Sequence, residues 1–147
     1  NRMSNIQATL GLSQLKRIKT IVNKRHLIGK EYYKYLNANK NIYIPIPEKK
    51  NVKNIYWIIG ILIVNTKLNL NAKYVMEKLK EKNIGTRPFF WPMHKQKMLR
   101  KESFYNSKKF PNSDYISNYG FYLPSSLTLT NSQIKYISNC VNEIITQ

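Results

Sequence analysis

The feature that most constrains the fold is the run IYWIIGILIV at residues 55–64. It is dense in β-branched and aromatic side chains, and it is strand-length, well short of the ~20 apolar residues of a membrane span. Continuous rather than alternating apolarity marks a strand buried on both faces or nearly so. Such a strand needs covering layers, and the rest of the chain must supply them.

The covering helices are marked by their caps. Ser4 followed by Gln7 is a capping-box pattern, in which hydroxyl and amide satisfy each other's orphan backbone donors. Ile6, Leu10, Leu15, Ile18 and Val22 recur near the helical period, and Leu27, Ile28, Tyr32, Tyr35 and Leu36 continue the stripe after a polar NKR break. This predicts one long bent helix or two in tandem. NANKN dissolves the pattern, and IPIPEKKN is a connecting loop, since each proline removes a donor and extends its predecessor.

From Asn71, NAKYVMEKLKEKNIG carries Val75, Met76, Leu79 and Ile84, with Gly85 where a left-handed helix cap would sit. TRPFF then reads as a second strand or extended rim, restricted by Pro88 to an edge or bulge. After a lysine-rich polar stretch, FPNSDYISNYG places Pro111 in a first helical turn, with Tyr115, Ile116 and Tyr119 inside a short helix ended by Gly120. FYLP is a third short strand. Thr130 and Gln133 form a second capping box ahead of Ile134, Ile137, Val141, Ile144 and Ile145.

The order is helix, helix, strand, helix, strand, helix, strand, helix. It describes an α/β chain of the α+β two-layer kind, a small, roughly three-stranded sheet covered by helices. With 147 residues and 42% apolar content, one domain is expected over 1–147, with 1–40 as a helical linker region and 52–147 as the sheet-and-helix core.

Composition removes several function classes. His26, His94 and Cys140 are too few soft ligands for an ordinary zinc site, so no metal is expected. None of the five glycines stands in phosphate-loop spacing. Cys140, the only cysteine, allows no intramolecular disulfide and reads as a small buried hydrophobe in a reducing compartment. With no membrane span and no signal peptide, the expectation is a cytoplasmic protein. The opening NRMSN, without an initiator methionine in first place, fits a piece of something longer.

The net charge of +18 points toward polyanions. Lys, Asn, Ile and Tyr are also what an A/T-rich genome encodes most readily, so the charge alone does not discriminate. A basic nucleic-acid-binding module stays as an alternative, carried by KRHLIGKEYYKYL, where cations alternate with rings able to stack.

TRPFFWPMH at 86–94 is the candidate site. Arg87 offers a planar fork for carboxylate or phosphate, Phe89, Phe90 and Trp91 offer flat apolar walls, and His94 can hydrogen-bond or titrate near neutral pH. Together they would form one wall of a ligand pocket. The same residues also fit a bland arrangement, with Phe89 and Trp91 turned to one side as core, Phe90 to the other, and Arg87 an ordinary surface cation.

Four blocks, NRMSNIQATLGLSQL, NIYWIIGILI, LKEKNIGTRPFFWPMHKQ and GFYLPSSLTLTNSQI, stand in the order and approximate spacing of the C-terminal portion of DegT-type sugar-nucleotide aminotransferases. The likeness is to the perosamine synthetase branch and covers essentially the whole chain. The resemblance implies the C-terminal small domain of a fold type I, pyridoxal phosphate-dependent enzyme. Such an enzyme passes an amino group from glutamate to a 4-keto-sugar nucleotide and works as a homodimer with shared active sites.

In that family the Schiff-base lysine lies upstream of an Asn-x-Arg-Met loop. None of the twenty lysines is therefore assigned that role, no catalytic residue is expected, and the chain alone is predicted to lack transaminase activity. Arg2-Met3 match the second half of the loop. Arg2 is thus a candidate contact to the cofactor phosphate of the neighbouring subunit, or orders the loop by ion pairing, while Asn1 occupies its variable position.

The resemblance places TRPFFWPMH at the active-site mouth. It assigns Arg87 to a phosphate or sugar contact, Phe89 and Phe90 to pocket walls, and His94 to a polar rim contact. LPSSLTLT is a structural turn feeding the last helix. A noncatalytic assembly remnant of the same fold is the remaining alternative. A lobe that packs on a larger domain should leave Met3, Ile6, Leu10, Phe89 and Trp91 uncovered in this chain.

Overall fold

In the computed structural model of the chain, residues 2–45, 48–64, 70–99 and 109–146 are described. Asn1, Ile46 and Pro47 of the expected loop, and residues 100–108 of the lysine-rich stretch lie outside them.

The two N-terminal helices form in tandem, α1 over Asn5–Leu15 and α2 over Ile18–Leu36. The first capping box closes as expected: the Ser4 N–H donates to Gln7 Oε1 at 2.9 Å and the Gln7 N–H to Ser4 Oγ at 3.3 Å. α1 buries nothing, so its apolar side chains are exposed, whereas α2 buries Ile28, Gly29, Tyr32 and Leu36. Leu27, expected on the buried stripe, is exposed. The stripe follows the four-residue steps 28, 32, 36, which leaves Leu27 about a hundred degrees away around the helix.

The sheet has four antiparallel strands rather than three. β1 (Ile42–Tyr43), β4 (Ile59–Ile63), β6 (Gly120–Leu123) and β5 (Arg87–Pro88) lie in that spatial order. A separate two-stranded hairpin, β2 (Glu48–Lys49) with β3 (Val52–Lys53), occupies the expected loop. The central strand is shorter than the apolar run. Its register pairs Ile59 with Leu123 and Ile61 with Phe121, so these residues and Ile63 share one face.

That face is buried under α2, helix α3 (Ala72–Glu81) and the last helix, α5 (Asn131–Thr146), in one continuous core. The other face carries Gly60, Leu62, Tyr122 and, by register, Tyr43 and Arg87. Gly60 and Leu62 are half-buried, so the strand is sunk on one side only.

α3 ends in a Schellman motif, but not at Gly85. Asn83 takes the left-handed conformation at φ 60°, its N–H donates to Lys80 O at 2.9 Å, and the Ile84 N–H donates to Leu79 O at 2.9 Å. Asparagine tolerates this region better than most residues, and no described glycine has a positive φ. Ile84 and Leu79, at the two ends of the motif, are both buried in the core.

Ahead of β4, Tyr56 is also left-handed, at φ 51°. Asn54 Oδ1 accepts from its N–H at 2.9 Å, and Arg25 of α2 donates to the Tyr56 and Trp57 carbonyls at 3.2 and 2.8 Å. The Tyr56 ring lies against Gly29, where an added Cβ would stand 2.3 Å from it. A second knot fixes α5: Asn142 Nδ2 donates to Tyr35 O at 3.0 Å and its Oδ1 accepts from Asn39. Cys140 is buried in the core, as expected of a small hydrophobe. No described helix is long and apolar enough to cross a membrane.

Candidate functional site

β5 is a two-residue edge strand, as Pro88 requires, with Arg87 opposite Tyr122 and Pro88 opposite Phe121. Alternation puts Arg87 and Phe89 on the open sheet face and Pro88 on the helix-covered one. Phe89 leaves the strand with its N–H directed at Gly120 O, 3.4 Å away. Its ring then lies across two glycines. A Cβ at Gly120 would meet it at 2.5 Å, so that position must be bare for the ring to keep this seat, while one at Gly60 would press on it at 3.1 Å and need the ring to give by a few tenths of an ångström.

The Phe89 seat is completed by Tyr122, whose ring stacks on it at 4.5 Å with 28° between planes. Phe90 meets the same tyrosine edge-on at 6.0 Å but is itself 73% exposed. Burial pushes the Tyr122 hydroxyl above its ordinary range, an effect partly offset by a hydrogen bond from the Phe90 backbone. Trp91 is 58% exposed, with the Lys95 ammonium 5.8 Å from its ring. It faces a groove of about 430 Å³ beside β5, shared with Lys73 and Met76 of α3, Pro88 and Tyr119. The aromatics are therefore not split into Phe89 and Trp91 on one side and Phe90 on the other.

Beyond Trp91 the chain turns. Pro92 is buried and opens a 3-10 turn over Met93–Lys95, whose bonds run from the Lys95 N–H to Pro92 O and from the Gln96 N–H to Met93 O, both 3.0 Å. His94 is held rather than free: its ring stacks on Phe110 at 4.9 Å, and Nε2 lies 2.9 Å from Asp114 Oδ1. Lys95 Nζ reaches the same oxygen at 2.6 Å. Asp114 sits in the first turn of helix α4 (Pro111–Tyr119), where Pro111 starts the helix as expected.

The Lys95 ammonium, with His94 beside it, holds the Asp114 carboxyl below its ordinary value of 3.8, against a smaller opposing effect of desolvation. An ionised Asp114 only accepts, so Nε2 of His94 carries the proton and Nδ1 is left as the free ring nitrogen of the neutral form.

Of the residues singled out from sequence, Arg87, Phe89 and Phe90 all lie against or opposite Tyr122, whereas His94 packs on Phe110 and Asp114 beyond the turn. Arg87 is exposed, and among the described residues its guanidinium has no carboxylate or carbonyl partner. Arg2 is exposed at the foot of α1, with no hydrogen bond, ion pair or ring contact to the 87–94 segment among the described residues. Met3, Ile6, Leu10 and Trp91 are exposed, but Phe89 is half-buried by its stacking. Tyr122 and Asp114 were not legible as site residues, because each acquires its place only through pairing with a segment far away in sequence. Among the described residues no group of acidic, histidine and cysteine side chains could hold a metal ion.

The family model described as the DegT/DnrJ/EryC1/StrS aminotransferase family matches residues 1–142. The chain is 31% identical to the GDP-perosamine synthase of Escherichia coli O157:H7 over 142 residues, which is 97% of the chain and 36% of that enzyme. It is 30% identical to the GDP-perosamine synthase of Vibrio cholerae, covering 95% of the chain and 37% of that protein. The fold matches Helicobacter pylori PseC, an aminotransferase involved in the biosynthesis of pseudoaminic acid, with a TM-score of 0.86 at 21% identity over 99% of the chain and 38% of PseC. The chain therefore spans little more than a third of these relatives.

Proposed function

Since the chain belongs to the DegT/DnrJ/EryC1/StrS aminotransferase family, we propose that it is the sheet-bearing small lobe of a pyridoxal phosphate-dependent sugar-nucleotide aminotransferase. In this reading the complete enzyme transfers an amino group from glutamate to a 4-keto-sugar nucleotide of the perosamine type and works as a homodimer. The 147-residue chain is one wall of the substrate cleft and is inactive by itself, with the covalent lysine on the other lobe.

The observation that carries this reading is the open sheet face. Arg87 stands there as an exposed cation beside the stacked Phe89–Tyr122 pair, with Phe90 projecting next to it. A guanidinium next to flat apolar walls suits a phosphorylated sugar: the fork pairs with phosphate oxygens, and the rings pack against a base or the apolar face of a pyranose. Arg87 is the phosphate or sugar contact, Phe89 and Phe90 are the walls, and His94 contributes its Nδ1 edge at the rim.

α1 supports the same reading. An isolated helix of 11 residues is marginal in water, and this one exposes Ile6, Leu10, Leu12 and Leu15, with Met3 exposed just ahead of it. Such a helix is stabilised by packing on a body outside this chain.

The described residues fit only one edge of pyridoxal phosphate. The sheet face offers walls and one cation rather than an enclosed cradle, and the exposed Arg2 ahead of α1 is the candidate contact to the cofactor phosphate of a neighbouring subunit, or orders its loop by ion pairing. When bound, the cofactor supplies the electron sink for amine exchange. This chain's residues hold and orient the sugar nucleotide and exclude water from it.

The test is production of a polypeptide of the relatives' length that carries this sequence as its final part. With glutamate and a nucleotide-linked 4-keto-6-deoxyhexose it is expected to bind pyridoxal phosphate and form the 4-amino sugar, while the 147-residue chain forms none. Failure of the long polypeptide to bind the cofactor would end the proposal.

A further inference from the structure

The aromatic segment is gripped at two points by a single unit of the fold, and the second grip is a side chain with no role assigned so far. We propose that Asp114 is a positioning residue that latches residues 89–95 in place and so presets Phe90 and Trp91 before any ligand arrives.

The first grip is Phe89, laid on Gly60, Gly120 and Tyr122. Between Phe89 and the 3-10 turn, Phe90 and Trp91 belong to no helix or strand and are largely exposed. Two exposed rings on three residues of irregular chain would sample many orientations if held at one end only. Asp114 supplies the other end, since a single carboxylate oxygen takes both His94 Nε2 at 2.9 Å and Lys95 Nζ at 2.6 Å. Phe110 stacks on the histidine from the other side, leaving its side chain 15% exposed.

The carboxylate is itself well placed to hold. It lies in the first turn of α4, where the helix dipole favours an acid, and the Asp114 backbone N–H donates to Phe110 O at 3.0 Å. The next residue, Tyr115, donates its hydroxyl to Ile63 O of the central strand at 2.9 Å, bolting α4 to the sheet. α4 runs directly into β6, which carries Tyr122. The Tyr122 seat and the Asp114 latch therefore move together, and the rings between them are fixed relative to both. An exposed ion pair alone would be worth little. Here one acceptor serves two neighbouring donors on a turn whose histidine is mostly covered, so the function lies in fixing geometry rather than in stability. Fixed rings lower the ordering cost of binding a ligand.

The latch itself is independent of the proposed substrate, whereas its consequence for affinity rests on the pocket reading above. Trp91 and Trp57 are the only two tryptophans, so a Trp57→Phe chain reports on Trp91 and a Trp91→Phe chain reports on Trp57. In the first, Asp114→Asn is expected to raise the acrylamide quenching constant of Trp91 about twofold and lower its fluorescence anisotropy, with Asp114→Glu partly restoring both. In the second, the same substitutions leave Trp57 unchanged.

Trp91 quenching that is the same with and without the carboxylate overturns the latch, and so does equal loosening of Trp57, which would mean general unfolding. In the long polypeptide, Asp114→Asn is expected to raise the sugar-nucleotide KM severalfold at near-constant kcat. If Trp91 loosens but neither Asp114→Asn nor Arg87→Ala moves that KM, the pocket reading falls while the latch stands.

Discussion

Gly120→Ala probes the joint between α4, β6 and the aromatic seat. The added Cβ would lie 2.5 Å from Phe89 Cδ2 and 2.6 Å from Ile116 O, against 3.4–4 Å for ordinary contact. The ring can swing away, but the Ile116 carbonyl is backbone, and it also accepts the Gly120 N–H that closes the helix. Overpacking of this kind costs about 1–3 kcal/mol. Loss of the closing bond adds about 1 kcal/mol, for a total of about 2–4 kcal/mol.

At roughly 2–4 °C per kcal/mol for a chain of this size, Gly120→Ala should lower Tm by roughly 5–15 °C. The matched control is Gly85→Ala, which meets nothing within 4 Å and has no positive φ. It should be neutral or stabilising by up to about 1 kcal/mol. A Phe89→Ala background should recover the ring's share of the Gly120→Ala loss and leave the carbonyl's share, a coupling of about 1–2 kcal/mol. Differential scanning calorimetry decides it. Gly120→Ala melting with the parent, or complete rescue by Phe89→Ala, would show that the helix-end carbonyl is no barrier there.

Two further outcomes concern pH. Asp114 is held below 3.8 by Lys95 and His94, so its stabilisation is fully present above that pH and is lost as pH falls through the lower folded value; thermal melts between pH 2 and 6, a window of about four units around that value, should show Asp114→Asn flattening the acid limb. Tyr32 behaves oppositely. It is fully buried, its hydroxyl donates to Pro124 O at 2.9 Å, and burial raises it above 10.0. Its stabilisation is complete below pH 10 and declines as pH rises beyond that, so Tyr32→Phe should cost about 1 kcal/mol at neutral pH and shallow the alkaline slope in a separate set of melts carried above pH 10.

What could be read from the sequence was local. Ser4–Gln7 and Thr130–Gln133 are short-range pairs whose partners lie three residues apart, and both form. Pro111, Gly120 and the α5 stripe likewise carry their meaning within a turn or two, and Pro88 correctly confined β5 to an edge. β1 escaped because two residues, Ile42 and Tyr43, contain no periodicity, and only their pairing with β4 makes them a strand. Gly85 was the expected left-handed cap because glycine is the commonest choice. Asn83, two residues earlier, closes the bonds instead.

The site divides the same way. Arg87, Phe89, Phe90 and His94 stand out by composition within one short segment. Asp114 is twenty residues from His94, and its role exists only because α4 folds back beside the turn. Tyr122 likewise looked like a strand residue and nothing more, yet it is the floor on which Phe89 and Phe90 rest. The exposure of Met3, Ile6 and Leu10 at and before α1 was anticipated through the family resemblance, since no property of the helix itself says what covers them.

The decisive measurement is steady-state kinetics of Arg87→Ala in a polypeptide of the relatives' length carrying this sequence, with the sugar nucleotide as the varied substrate. Loss of a guanidinium–phosphate contact should raise its KM about tenfold or more while bound pyridoxal phosphate stays at the parental level. A KM equal to the parent's would mean that this sheet face does not hold the sugar nucleotide.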